Sequence, residues 1–167
     1  MALISNGRLV DDPWTAVADD VPLPESGPVI ISVDRWQAER DALVLRGSLL
    51  GVRVASHQMA DDIAADLPHF DLVALEFPSF RDGRAYSTAR LLRERYGFSG
   101  ELRAVGNVLR DQFMFMHRCG FDAFEVDDET QVEAWRKAME EFTCWYQPTA
   151  DGRVPVIALR HFRSAAE

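Results

Sequence analysis

Five short apolar runs recur along the chain, and each is followed by a segment with helical spacing. Residues 29–33 (VIISV), 52–55 (VRVA), 72–77 (LVALEF), 101–105 (ELRAV) and 123–126 (AFEV) read as strands. The most apolar of them, rich in β-branched residues, carry the pattern of strands buried on both faces. After the first run, Asp34 is placed to cap a helix, with Gln37 in capping-box position and Trp36 and Leu43 on one face. After the second, Ser56 opens a helix in which Met59, Ile63 and Leu67 repeat at i, i+4, i+8. Asp61, Asp62 and Asp66 then form a solvated face rather than a metal site. The third helix, residues 84–96, carries Ala85, Ala89, Leu92 and Tyr96 on its stripe and Arg90, Arg93, Glu94 and Arg95 largely off it. In the fourth, Leu109, Phe113 and Met116 form the stripe, which Met114 and Phe115 widen. The last, capped by Asp127 or Asp128, spaces Val132, Trp135, Met139 and Phe142 along its core face.

The flanks are less regular. Asn6-Gly7 lies between two short apolar runs and accepts positive φ at both central turn positions, which predicts a hairpin. Residues 11–28 form a lead-in loop from which Trp14 plugs a groove on the main body. Residues 154–159 predict a late strand, and residues 164–167 a frayed tail.

Parallel neighbours need crossover connections, so five strand–helix units predict a parallel sheet. The expected fold is α/β, an open doubly wound, mostly parallel sheet of about five strands and flavodoxin-like size, with helices on both faces. A partial (β/α) barrel-like arrangement is the alternative. We expect a single α/β domain over residues 1–167, made of a hairpin and lead-in (1–28), a core (29–147) and a C-terminal extension (148–167).

Composition narrows the classes. Of 167 residues, 47% are hydrophobic and 27% charged, which is ordinary for a globular chain. A net charge of -9 argues against a nucleic-acid surface. Lys137 is the sole lysine, so all the other basic residues are arginine. Guanidinium pairs bidentately with carboxylate, sulfate or phosphate, although a skew of this kind also follows from GC-rich coding. Cys119 and Cys144 form no CxxC and read as small core hydrophobes. His57, His69, His117 and His161 show no ligand spacing. His117 has a place as a general base, against the plainer reading of a satisfied core histidine. No run is long enough for a membrane span and none resembles a signal peptide, so a cytoplasmic protein is expected.

Open parallel sheets bind ligands beyond the carboxyl ends of their strands. Two such loops are rich in polar groups. After residue 77 come Asp82, Gly83 and Arg84, with Tyr86 and Ser87 in the first turn of the next helix. A helix start favours anions, and Gly83 permits close backbone approach. After residue 105 come Asn107, Arg110, Asp111 and Gln112. These nine residues are the candidate substrate- or anion-binding set, with Glu76 as a base or as a partner of Arg84. Three of them have structural alternatives: Asp82 as a cap, Arg84 bridged to Glu76 or Asp111, Asp111 as a helix-start partner. Arg103 lies in a strand and, if buried, needs a carboxylate such as Glu101 or Glu76. Neither loop has the spacing of a Walker A or a GxGxxG motif, and no GxSxG is present.

The string FPSFRDGRAYSTARLLRERYGFSGELRAVGNVLRDQFMFMHRCGFDAF resembles the core signature of the bacterial DUF934 family. The likeness extends more weakly over most of residues 29–147. The resemblance maps motif positions onto Phe77, Pro78, Phe80, Asp82, Gly83, Arg84, Tyr86, Ser87, Ala89, Arg90, Arg93, Arg103, Gly106, Asp111, Gln112 and Gly120. Asn107 stands where an acidic residue is expected in many members, which speaks against a required base or metal ligand there. Members are commonly labelled oxidoreductases associated with assimilatory sulfite reduction, because their genes tend to neighbour that of sulfite reductase. The resemblance therefore implies an accessory protein of sulfur assimilation that binds a partner or small anion at the 78–87 and 106–112 loops, with sulfite reductase subunits as expected partners. The alternative is an enzyme, an oxidoreductase acting on an anionic substrate at the same crevice. The residues themselves carry no dinucleotide fingerprint, no redox cysteine pair and no haem or cluster ligands. Their chemistry suits an anion-binding crevice, and the catalytic residues and the cofactor stay open, flavin being one to test. Met114 and Phe115 also suit a helix-mediated homodimer.

Overall fold

The computed structural model describes residues 2–127 and 132–159. The side chains of Met139 and Glu140 also lie outside the description. The expected cap at Asp128, His161 and the tail 164–167 fall outside the described residues.

Eight strands form one sheet. The chain opens on the expected hairpin, β1 (Ala2–Ser5) and β2 (Arg8–Val10), turned at Asn6 and Gly7 with φ of 51° and 71°. β3 (Thr15–Ala16) is a two-residue strand within the lead-in. β4 (Val29–Ser32), β5 (Leu50–Val54), β6 (Leu72–Phe77), β7 (Glu101–Gly106) and β8 (Ala123–Val126) are the five expected strands, with ends shifted by up to two residues. The helices are α1 (Val33–Val44), α2 (Arg84–Arg90), α3 (Phe113–Arg118) and α4 (Val132–Glu140). Between β5 and β6 two 3₁₀ turns, Ala60–Asp62 and Ala64–His69, replace the expected helix. Ile63 and Leu67 are buried as expected there, but Met59 is exposed.

The open doubly wound sheet of about five strands is not what forms. The strand order is β2-β1-β8-β7-β6-β5-β4-β3, parallel from β3 to β8 and antiparallel at β1 and β2. Each crossover steps to the next strand in the same direction. Right-handed crossovers that never reverse put every connecting segment on one face, whereas a doubly wound sheet needs a reversal. The sheet curls into a half-barrel, which is the barrel-like alternative.

The two faces differ accordingly. The helix-covered face buries Ile31, Val52, Val73, Leu75, Leu102 and Phe124 with Trp36, Ile63, Leu92, Phe113 and Trp135 in one core. Phe113, Phe124 and Trp135 meet with centroids 4.4–5.7 Å apart. The opposite face holds a smaller cluster, Ile30, Leu72, Ala74 and Val105, and Trp14 of the lead-in packs on it as expected. Beside it Arg103 is fully buried. It bonds Glu101 at 2.8 Å and Asp12 at 2.7 Å and reaches Glu125 at 3.4 Å. Burial alone would lower its pKa, but Asp12 and Glu101 raise it. A buried guanidinium is tolerated when carboxylates surround it in this way. Glu76, the other expected partner, pairs with Arg53 at 2.9 Å instead.

Local departures have local causes. Ser32, not Asp34, caps α1, its Oγ accepting the Arg35 N–H. After Arg90 the third helix widens into a π-type turn, Leu91–Arg95, closed by the Tyr96 N–H on the Leu91 carbonyl. Arg93, expected off the stripe, instead donates to the carbonyls of Phe98, Gly100 and Gly120 and pairs with Asp122. The three acidic residues of the second unit are separately engaged: Asp61 by Tyr96, Asp62 by the Met59 N–H, Asp66 by Trp36 and Arg40. The late strand expected at 154–159 does not form, and residues 156–159 are helical. Both cysteines are free, and Cys144 is exposed rather than in the core.

Candidate functional site

The parallel strands deliver their loops to one rim of the sheet, as sequence reading expects. β6 and β7 pair over their whole length, ending with Phe77 opposite Gly106, so the two polar loops begin side by side. Gly106 makes this possible. Its φ is +90°, and a Cβ there would stand 2.6 Å from the Phe77 carbonyl oxygen. The same oxygen accepts the Asn107 N–H at 2.7 Å.

The loop after β6 closes on itself. Arg84 donates Nε and Nη2 to the two Asp82 oxygens at 2.9 and 2.5 Å, and Nη2 also reaches the Ser56 Oγ at 3.1 Å. The Arg84 guanidinium holds the Asp82 carboxyl well below the usual carboxylate range. Gly83, rather than Asp82, stands at the helix cap, while Asp82 accepts the Arg84 N–H. Arg84 thus faces the loop after β5, and neither Glu76 nor Asp111 is its partner. Tyr86 packs edge-on against Phe77 at 5.2 Å. Burial pushes its phenol up to about 12, with the nearby Cys119 and Asp111 adding to the shift. Ser87 is exposed.

The loop after β7 is different. A 3₁₀ turn, Arg110–Gln112, leads directly into α3. Asn107, Arg110 and Asp111 are exposed, and none makes a side-chain hydrogen bond or ion pair among the described residues. Gln112 is half-buried, and its Oε1 has no partner among them. Arg110 and Asp111 stand on the lip of a groove of about 520 Å³ between α3 and the C-terminal end of α4. Leu109, Met114, Phe115 and Phe142 supply its apolar surface, and Glu141 a second carboxylate. Phe115 is 65% exposed and Phe142 52%.

The nine candidates therefore separate into two groups. Asp82, Gly83, Arg84, Tyr86 and Ser87 belong to a loop in which Asp82 and Arg84 pair with each other. Of Asn107, Arg110, Asp111 and Gln112, Arg110 and Asp111 line the groove. Sequence reading missed its other wall, Ala138, Glu141 and Phe142. Phe142 was expected on the core stripe of the last helix, but α4 ends at Glu140 and leaves it outside. It also missed Arg53 and Ser56, which engage Glu76 and Arg84. His117 sets its Nδ1 3.3 Å from the Phe121 carbonyl oxygen, and burial lowers its pKa, a structural placement.

Among the described residues, no group of three or more His, Cys, Asp or Glu side chains could hold a metal ion. Nor is any described helix long and apolar enough to cross a membrane. A family model described as a bacterial protein of unknown function, DUF934, matches residues 51–157. None of the curated proteins matches the chain. The matched span runs from β5 to the helical residues after Pro155 and contains both polar loops and the groove.

Proposed function

The chain belongs to the DUF934 family, and from that premise we propose that it is an accessory protein of assimilatory sulfite reduction. In this reading it docks a sulfite reductase subunit through the groove between α3 and α4. One observation carries the docking: Arg110 and Asp111 have no partner among the described residues and line a 520 Å³ groove whose aromatic residues are largely exposed. Exposed phenylalanines rimmed by charge suit burial against another protein, since aromatic and arginine side chains supply most of the energy at such interfaces. The free guanidinium also suits a small anion, so Arg110 can read an acidic group on the partner or sulfite itself. The tie to sulfite reduction rests on the family resemblance and its gene neighbourhood.

The test is co-purification of tagged protein with sulfite reductase subunits, beside growth of a deletion strain on sulfite as sole sulfur source. The proposal expects capture by the wild type, loss of capture by Arg110→Glu, and slow growth of the deletion strain. Normal growth together with no capture contradicts it. Turnover of an anionic substrate by the purified protein would instead make it an enzyme.

A further inference from the structure

A second cavity, of about 430 Å³, opens where the lead-in leaves the sheet. It is independent of the proposed docking. β3 pairs Ala16 with Ile30 and stops, while β4 runs on to Ser32. The last backbone bond across the gap is from the Val17 N–H to the Ile30 carbonyl, at 2.9 Å. Ala16, Val17 and Ile30 supply apolar wall, and Asp19, Ser32 and Arg53 the polar side chains.

The loop that carries Asp19 to this cavity is tied down by a buried arginine. Arg35, only 7% exposed, donates Nη1 to the carbonyls of Ala18 at 2.8 Å and Val21 at 2.7 Å. Arg35 also pairs with Glu39 at 3.3 Å, and with its charge met there it holds the loop on either side of Asp19. The Asp19 Oδ1 then accepts from the Ser32 Oγ at 2.7 Å, and that hydroxyl oxygen in turn caps α1. Across the cavity Arg53 donates Nη2 to Glu76, and its Nε and Nη1 have no partner among the described residues. Asp19 keeps its second oxygen free in the same sense. The two opposite charges line one cavity yet form no ion pair with each other.

An acid and a base that line one cavity with apolar walls, without pairing to each other, match a ligand that carries an ammonium and a carboxylate on one carbon. We propose that this cavity binds a small aliphatic α-amino acid. Arg53 takes the carboxylate through its free N–H groups, Asp19 takes the ammonium, and the side chain lies against Val17 and Ile30. The volume sits at the small end of ligand cavities and suits a single amino acid better than a nucleotide.

The experiment is calorimetric titration of the full-length protein with L-leucine and L-valine. Isocaproate, which lacks the ammonium, and isoamylamine, which lacks the carboxylate, serve as comparison ligands. The amino acids should bind, and each single-charge analogue should bind at least about tenfold more weakly. Asp19→Asn should abolish the preference over isocaproate, and Arg53→Gln the preference over isoamylamine, with circular dichroism unchanged in both. No binding of either amino acid at about 10 mM overturns the proposal. So does isocaproate binding as tightly as L-leucine, which would reduce the cavity to an anion site. A preference left intact in both variants overturns it as well.

Discussion

The loops after β6 and β7 start from paired strands and each carries an arginine close to an aspartate, yet these two acid–base sets end in opposite situations. After β6, Asp82 and Arg84 bond each other twice and Arg84 reaches Ser56, so the pair is spent within the loop. After β7, Arg110 and Asp111 find no partner among the described residues and border exposed aromatic surface. The difference lies in what stands next to each loop. The β5 loop offers Ser56 to Arg84, while α3 and the end of α4 leave a groove beside Arg110. An acid beside a base in a rim loop is therefore weak evidence of a site. What counts is whether the two satisfy each other.

Three changes sharpen this contrast. Gly106 holds the two loops side by side, so Gly106→Ala should have the largest effect. It forces a positive φ on a Cβ-bearing residue and presses that carbon on the Phe77 carbonyl. A loss of about 2–4 kcal/mol is expected in denaturant unfolding; a loss near zero would mean that the loops are not held by this turn. Tyr86 is next. Its folded pKa, about 12, lies above the ordinary 10, so the folded state holds the phenolic proton more tightly. Its contribution is complete below pH 10 and is lost as pH rises toward 12. Tyr86→Phe should flatten that alkaline loss by about 1 kcal/mol, a figure discounted for the ring's partial exposure. An unchanged alkaline slope would mean that the ring is solvated. Asp82 should give the smallest effect. Its depressed pKa means that its stabilisation is present above the ordinary carboxylate value and fades as pH falls below it. Asp82→Asn should lower the melting temperature slightly at neutral pH and weaken the loss in acid, without touching partner capture.

The strands and the hairpin were readable from apolar runs and from Asn6-Gly7. Their order was not, because strand pairing is non-local and a run of apolar residues does not say which way the next crossover steps. A clue to the one-sided sheet was nonetheless present. Arg53, Glu76, Glu101, Arg103 and Glu125 recur on alternate positions of the central strands, all on the face away from the helices. Strands covered by helices on both sides would not carry them. Other features depended on tertiary context. The wide turn at residues 91–95 draws Arg93 inward to three carbonyls, which helical spacing does not foretell. Phe142 continues the helical period, but α4 stops two residues earlier, and the same ring becomes a groove wall. Arg110 and Asp111 were named from the loop's position, and Asp111 also from the family resemblance. That they have no partner among the described residues, while Arg84 is met by both Asp82 and Ser56, follows from what packs beside each loop and not from the loop's own sequence.

The most direct test is the affinity of purified sulfite reductase subunits for two variants beside the wild type. Phe115→Asp places a charge on the apolar surface of the groove and should weaken binding at least about tenfold, or about 1.4 kcal/mol, at unchanged melting temperature. Arg84→Ala, in the loop closed on itself, should bind as the wild type does. Equal binding by Phe115→Asp, with the loss falling on Arg84→Ala instead, would contradict the account and move the site to the loop after β6.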